Sequence, residues 1–410
     1  MSDRKTSRRG FLKKAALTGA GLGALQGAPL AGVTPQAKAA ADSGASASTK
    51  PHAKVPRKPL GTTGEEIPIL VLGCAQKFDP KYDKILHRCF RAGVDYLDTA
   101  LVYADGMSHK TIAPFIKQIG DRKKLWITSK GPGRQGTVES FESEFEQCLS
   151  GLEIDYLDLF FMHALDNTRF LDPEFIKMGE RMRKSGKTRF FGFSCHGDKV
   201  VDLMNKAVKV GGIDAIMFRY SFARYGDLAL NKAIDACKEA GIGLIAMKTQ
   251  ESVPDDLEAV AGFKSKDFTL GQAKLKAVWA DERIDSAVSH IDNTKKLKEN
   301  VDAARSPVQL SMEDFQQLQS IARATAHYSC TGCSRHCEPK VDGEVNIADT
   351  MRFLMYHESY GESEKARAFY RALPPAQRAI DGLDFTAASA ACPQGIDIAA
   401  RLNQARKFLG

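Results

Sequence analysis

Asp98, Tyr103, Lys130 and His163 follow one another at or near the ends of apolar, strand-like runs spanning residues 94–103, 125–130 and 156–163. A tyrosine hydroxyl has a free pKa of about 10 and is a poor acid at neutral pH. A neighbouring ammonium stabilises the phenolate and lowers that value. A carboxylate beyond the ammonium keeps it charged and aimed, and a neutral imidazole beside the phenol orients a carbonyl oxygen. Together the four make a proton-transfer centre in which Tyr103 protonates a carbonyl oxygen as hydride reaches the carbon. Each residue alone has a plainer meaning. A strand-end Asp caps a helix, a lone His packs in a core, and a lone Lys or Tyr is solvated or packed. For each residue taken singly, the plainer meaning is favoured.

Such a centre needs elements that deliver all four groups to one place. Strand patterns recur at residues 69–75, 96–100, 125–129, 157–163, 188–195, 215–220, 243–248 and 286–289. Helix-period segments alternate with them, from residues 83–92 to 294–304. A hairpin-like lead-in over residues 57–68 precedes the first. Eight strands alternating with eight helices predict an α/β fold, a closed (β/α)8 TIM barrel over residues 56–308, which presents its chemistry at the carboxyl ends of the strands. An open doubly wound sheet is the rival, but no G-x-G-x-x-G follows the first strand. Residues 311–326 read as a further helix with Ser311 at its N-cap. A small helical extension then fills residues 309–410.

The tetrad resembles that of the aldo/keto reductase family. Leu97-Asp98-Thr99-Ala100 with Tyr103, the strand-end Lys130 and Phe161-Met162-His163 match it in order and spacing. Gly186-Lys187-Thr188-Arg189-Phe190-Phe191-Gly192-Phe193-Ser194 matches the family's G-K-x-R-x-x-G-x-S signature, and Glu299-Asn300 matches a later landmark. The resemblance implies reduction of a small-molecule carbonyl with NADP or NAD as cofactor. It places the nicotinamide carboxamide at Ser194, Cys195 and Met217, where Cys and Met replace the family's Asn and Gln. Neither replacement hydrogen-bonds an amide well. At the adenosine end it implies Glu299 and Asn300, with Lys296 as partner of a 2′-phosphate.

Nine cysteines fall into two groups. Cys74, Cys89, Cys148, Cys195 and Cys237 read mostly as small core residues. Cys330-x-x-Cys333-x-x-x-Cys337 and the remote Cys392-Pro393 stand apart. Disulfides and a structural zinc site with four cysteine ligands are open for these four. The tight spacing and the Cys-Pro point more to one [4Fe–4S] cluster. Some relatives carry a ferredoxin-like extension with a second cysteine motif, and this tail resembles theirs. Here Phe385 and Ala388 stand where that motif's first two cysteines would be, which implies one cluster rather than two. His336 reads as a surface residue. Helices are expected at residues 352–360 and 363–373.

The amino terminus carries Ser7-Arg8-Arg9-Gly10-Phe11-Leu12-Lys13, an uncharged Ala/Gly/Leu-rich run and Ala37-Lys38-Ala39. Residues 1–39 resemble a bacterial twin-arginine export signal, and residues 40–55 read as a linker. The implied partner is the twin-arginine translocase and the implied location periplasmic. The Gly-rich run is too weakly apolar for a good spanning helix, so no stable membrane span is expected in the mature chain. The formal net charge is +8, but these 39 residues hold seven Lys/Arg and one Asp. The remainder is close to neutral, and no nucleic-acid partner follows from charge. A composition of 43% hydrophobic and 26% charged residues supports a sizeable core. The competing reading is non-enzymatic: an electron-transfer or redox-sensing protein on a reductase scaffold, with a redox partner protein.

Overall fold

The computed structural model describes residues 54–410 apart from Arg134, Asp198, residues 251–256 and Ser329. The residues expected to form an export signal, and most of the expected linker, lie outside the described residues. β1 (Arg57–Pro59) and β2 (Glu66–Pro68) form an antiparallel hairpin. Eight strands then run parallel: β3 (Leu70–Gly73), β4 (Tyr96–Asp98), β5 (Trp126–Gly131), β6 (Leu157–Met162), β7 (Thr188–Cys195), β8 (Ala215–Arg219), β9 (Gly243–Met247) and β10 (Ser286–His290). They pair in chain order, and β10 returns to β3 to close the barrel.

Side-chain alternation sorts each strand into two faces. The inner face and the hairpin bury Leu60, Ile67, Val71, Tyr96, Trp126, Leu159, Phe161, Met217, Ile245 and Met247. The outer face packs on the helices α1 (Lys84–Ala92), α2 (Ser108–Ile119), α3 (Val138–Leu152), α4 (Pro173–Lys184), α5 (Val200–Val210), α6 (Leu228–Glu239), α7 (Leu270–Ala280) and α8 (Thr294–Arg305). Truncating a buried ring of this layer such as Phe160 to Ala costs about 3–5 kcal/mol. Gly192 is dictated by packing, since a Cβ there would stand 1.9 Å from the Ala215 carbonyl oxygen.

Local chemistry sets the helix ends. The Asp83 carboxylate accepts from the N–H groups of Ile85 and Leu86, and Gly93 closes α1 with φ 88°. Thr137 with Ser140 and Thr269 with Gln272 form capping boxes that start α3 and α7. The expected strand run at residues 94–103 divides. β4 stops at Asp98, and Ala104, Asp105 and Gly106 all take positive φ, so Tyr103 sits in a turn before α2.

α9 (Met312–Thr325) belongs with the barrel: Phe315, Leu318 and Ile321 pack on Phe222, Phe268, Ala273 and Ala277. The remaining chain is a small helical domain. α10 (Ile347–Tyr360) starts earlier than the sequence suggested because Asn346 caps it through the Asp349 N–H. α11 (Ser363–Ala372) and α12 (Ile398–Leu409) pack against it through Phe353, Leu354, Ala366, Tyr370, Ala405 and Leu409. Phe385 and Ala388 are buried with Cys337, Ile347, Met351 and Leu402 and serve as core. No helix among the described residues is long and apolar enough to cross a membrane.

Candidate active site and a four-cysteine cavity

The tetrad converges at the carboxyl ends of β4, β5 and β6. The Lys130 ammonium is buried and donates to Asp98 Oδ1 at 2.6 Å, to the Thr99 carbonyl at 2.9 Å and to Tyr103 Oη at 3.4 Å. All three of its donors are used. Burial alone would lower the Lys130 pKa, but the Asp98 carboxylate outweighs it and the ammonium is held charged. Burial pushes Asp98 up, and Lys130 pulls it back.

Tyr103 and His163 meet edge to face with ring centroids 5.7 Å apart. Burial raises the Tyr103 pKa, and the Lys130 cation works against that rise. His163 is pushed down to about 3, first by burial and then by Lys130 and Arg352. It is therefore a neutral imidazole at working pH. The arrangement holds a protonated phenol, a cation that stabilises its conjugate base, and a neutral donor or acceptor beside it.

The same end of the barrel carries groups the sequence reading passed over. His196 follows β7, with its ring 6.3 Å from that of His163. Lys248 follows β9 and acts on Tyr103 and His196. Arg219 ends β8 and donates to the Cys330 carbonyl at 2.7 Å. The strand-end rule that singles out Lys130 and His163 also selects Arg219, Lys248 and His290. Arg352 comes from α10, and no local signal points to it.

The nucleotide residues divide by strand face. Register pairs Lys130 with Phe161, Phe161 with Gly192, and Ser194 with Met217, so these share the inner face. Ser194 Oγ accepts from the Ala164 N–H at 2.8 Å. Met217 is packed inside the barrel. Cys195 turns the other way, buried with Phe218 in the outer core with its thiol donating to the Gly197 carbonyl at 3.7 Å. It does not reach the mouth, because period-two alternation puts it opposite Ser194. At the other end, Asn300 donates to Ser289 Oγ at 2.9 Å, and Ser289 donates to Gln250 Oε1 at 3.2 Å. Glu299 accepts from the Thr269 hydroxyl, and Lys296 is ion-paired with Asp292 at 2.9 Å. The residues expected at the adenosine end thus form a polar set, while of those expected at the carboxamide Ser194 alone offers a good hydrogen-bonding group on the inner face.

This geometry gives an expected outcome. Met217→Gln should tighten NADPH binding about 2- to 12-fold, the range of one net hydrogen bond. Cys195→Asn should instead bury an amide behind the strand and lower stability by about 1–3 kcal/mol. Calorimetric titration and thermal melting check both. Tighter cofactor binding by a stable Cys195→Asn protein would contradict the outward placement of that side chain.

Cys330, Cys333, Cys337 and Cys392 line one cavity, together with Ile347, Ala348, Met351, Pro393 and Ile396. All nine cysteines are free thiols, so the disulfide alternative is not adopted. The Gly332 N–H points at Cys330 Sγ and the Thr331 hydroxyl at Cys333 Sγ, each at 3.4 Å. His336, expected on the surface, is half-buried on the cavity wall. Among the described residues no group of three or more His, Cys, Asp or Glu is gathered so as to hold a metal ion.

A parallel (β/α)8 barrel with a Tyr-Lys-Asp-His centre at its mouth defines an oxidoreductase barrel. Residues 72–252 match the profile of the Aldo/keto reductase family. It is 23% identical over 294 residues to an L-galactose dehydrogenase of Arabidopsis thaliana, spanning 63% of this chain and 91% of that protein. The fold is similar to an aldo-keto reductase from Bacillus halodurans, with TM-score 0.55, 21% identity and coverage of 65% of this chain and 96% of that one. It is also similar to an aldo-keto reductase from Klebsiella pneumoniae in complex with NADPH, with TM-score 0.52, 18% identity and coverage of 65% and 95%.

Proposed function

We propose that the protein reduces a small-molecule aldehyde or ketone with NADPH or NADH, with Tyr103 as proton donor. The observation that carries this reading is Lys130 Nζ placed between Asp98 at 2.6 Å and Tyr103 Oη at 3.4 Å, with His163 against the Tyr103 ring. A nicotinamide, when bound, would supply the hydride. As the carbonyl carbon gains it, the π electrons move to oxygen, and that oxygen takes the Tyr103 proton. The phenolate left behind is stabilised by the Lys130 cation and is reprotonated from solvent. The neutral His163 orients the carbonyl. Ser194 would hold the carboxamide, and Asn300, Glu299 and Lys296 the adenosine end. Nucleotide oxidation on addition of model aldehydes tests the reading. No turnover with either nucleotide would remove it.

The four thiols fit one [4Fe–4S] cluster, and we assign Cys330, Cys333, Cys337 and Cys392 as its ligands. An electron-transfer protein on a reductase scaffold is the second reading, favoured by the lost carboxamide partners at Cys195 and Met217. A protein that binds neither NADPH nor NADH but cycles its cluster would establish it.

Export by the twin-arginine route to the periplasm completes the proposal, supported by Arg8 and Arg9 in the leader. Replacing both with Lys should trap the precursor in the cytoplasm, as read by fractionation. Undiminished periplasmic protein from the double variant would contradict this.

A further inference from the structure

We propose that His196 is a second substrate-binding imidazole of the catalytic mouth, and that it engages a hydroxyl on the carbon next to the reacting carbonyl. This rests on the carbonyl reduction proposed above and names a specificity residue for it.

The placement starts from the strand. Period-two alternation turns Cys195 outward at the end of β7 and returns the next residue to the side of Ser194. The His196 ring accordingly lies 6.3 Å from that of His163, with the planes inclined at 52°. His163 in turn lies 5.7 Å from Tyr103. The rings of Tyr103, His163 and His196 thus succeed one another at the carboxyl ends of the strands. The residue after His196 is held from two sides. Cys195 Sγ donates to the Gly197 carbonyl at 3.7 Å. The cysteine loop packs on Gly197, close enough that a Cβ on Gly332 would stand 3.5 Å from the Gly197 Cα. That loop is itself tied to the end of β8, where Arg219 donates to the Cys330 carbonyl.

Hydrogen bonding sets His196 apart from the structural histidines. His87 bonds to Gln118, His109 to Ser129, His336 to Arg335 and His357 to Ser363, and His290 lies 3.8 Å from Asp292. His327 is exposed. Among the described residues, His163 and His196 are the two half-buried imidazoles whose rings make no hydrogen bond to the protein. None of their ring nitrogens is sealed from solvent. Each therefore keeps one donor and one acceptor for a ligand in the mouth. A structural histidine spends those groups on its neighbours, whereas His196 shares the free state of the tetrad's own His163.

Charge and reach give the chemistry of the second oxygen. Burial, and then the Lys248 cation, holds His196 neutral. The cations nearby are already engaged: Lys130 by Asp98, Arg352 by Asp349 at 2.8 Å, Arg219 by the Cys330 carbonyl, and Lys248 as well. They leave no unmatched charge that calls for an anion. A neutral imidazole offers one donor and one acceptor, and a hydroxyl can use both. A ring nitrogen sits roughly 1 Å from its centroid and bonds an oxygen about 2.9 Å beyond. Rings 6.3 Å apart can therefore hold two oxygens about 3 Å apart, the separation across one carbon–carbon bond. With the carbonyl oxygen at Tyr103 and His163, the hydroxyl at His196 falls on the adjacent carbon.

The test uses the full mature chain and an isosteric pair of ketones, hydroxyacetone and butanone, in which a hydroxyl stands in place of a methyl group. The preference for hydroxyacetone in kcat/KM should fall about 2- to 12-fold in His196→Phe, the range of one net hydrogen bond. The intrinsic reactivity of the two ketones cancels in that comparison. His196→Gln, which keeps a donor and an acceptor, should retain part of the preference, and this separates lost bonding from a folding defect. A second readout needs no turnover. With NADP present, hydroxyacetone should shift the imidazole nitrogen NMR signals of His196, assigned by their loss in His196→Gln, and butanone should not. An equal fall for both ketones in His196→Phe, or His196 signals indifferent to hydroxyacetone, would overturn the proposal. Failure to reduce either ketone would count against carbonyl reduction alone, because the His196 signals still decide whether the imidazole meets the hydroxyl.

Discussion

Replacing Tyr103 with Phe is expected to lower the rate of carbonyl reduction about 10²- to 10⁴-fold, the usual contribution of a positioned general acid. The ring and its edge-to-face contact with His163 are kept, so the variant should fold and should hold NADPH with little change. The missing hydroxyl acts on the substrate oxygen, not on the nucleotide. The pH profile sharpens the test. Reduction needs the phenol protonated, and burial raises its pKa, so rising pH does not remove the proton through the neutral range. His163 is pushed down to about 3, so falling pH does not charge it until far below neutrality. The tetrad alone therefore predicts a flat rate between about pH 5 and 9. A step near neutrality would reveal another titrating group. Substantial activity in Tyr103→Phe would assign the proton to a different donor. Lys130→Met should also be nearly inactive, because it removes the cation that stabilises the phenolate and leaves Asp98 buried without its partner.

Anaerobically purified protein should be brown, with about four iron atoms and matching acid-labile sulfide per chain, as one [4Fe–4S] cluster requires. Cys392→Ser should reduce that loading sharply. The effect should extend beyond iron. Cys337 and the partly buried Cys330 and Cys392 pack with Val341, Val345, Ile347, Met351, Phe385 and Leu402 in one small core. A domain of this size has little apolar burial of its own, so a bound cluster contributes directly to its folding. Chelation should accordingly open residues 330–410 to hydrogen exchange and leave β3–β10 protected. Exchange measured with and without chelator reads this directly. Colourless protein with stoichiometric zinc would sink the iron assignment.

The barrel and its tetrad were legible because they rest on short-range regularities. Strand alternation, the caps at Asp83, Thr137 and Thr269, and polar residues at strand ends all act over a few positions. Helix and strand ranges accordingly fall within a few residues of their observed bounds. The exception at residues 94–103 has a local cause in three successive positive-φ residues, of which Gly106 alone is a conventional choice. Alternation also contains the outward placement of Cys195, since Gly192 and Ser194 share one face and Cys195 takes the other. Motif spacing alone does not reveal that side.

The sequence by itself determined the element order, the strand-end groups Asp98, Lys130 and His163, and the isolation of four cysteines from the rest. Only the tertiary structure decided what surrounds them. It brings Cys392 into one cavity with Cys330 and Cys333, seats Arg219 on the Cys330 carbonyl 111 positions away, and sets the Tyr356 ring 5.7 Å from Lys248 Nζ. No periodic pattern records such a contact. It depends on how one packed domain closes on another, and that is settled by the summed burial and hydrogen bonding of residues far apart in sequence.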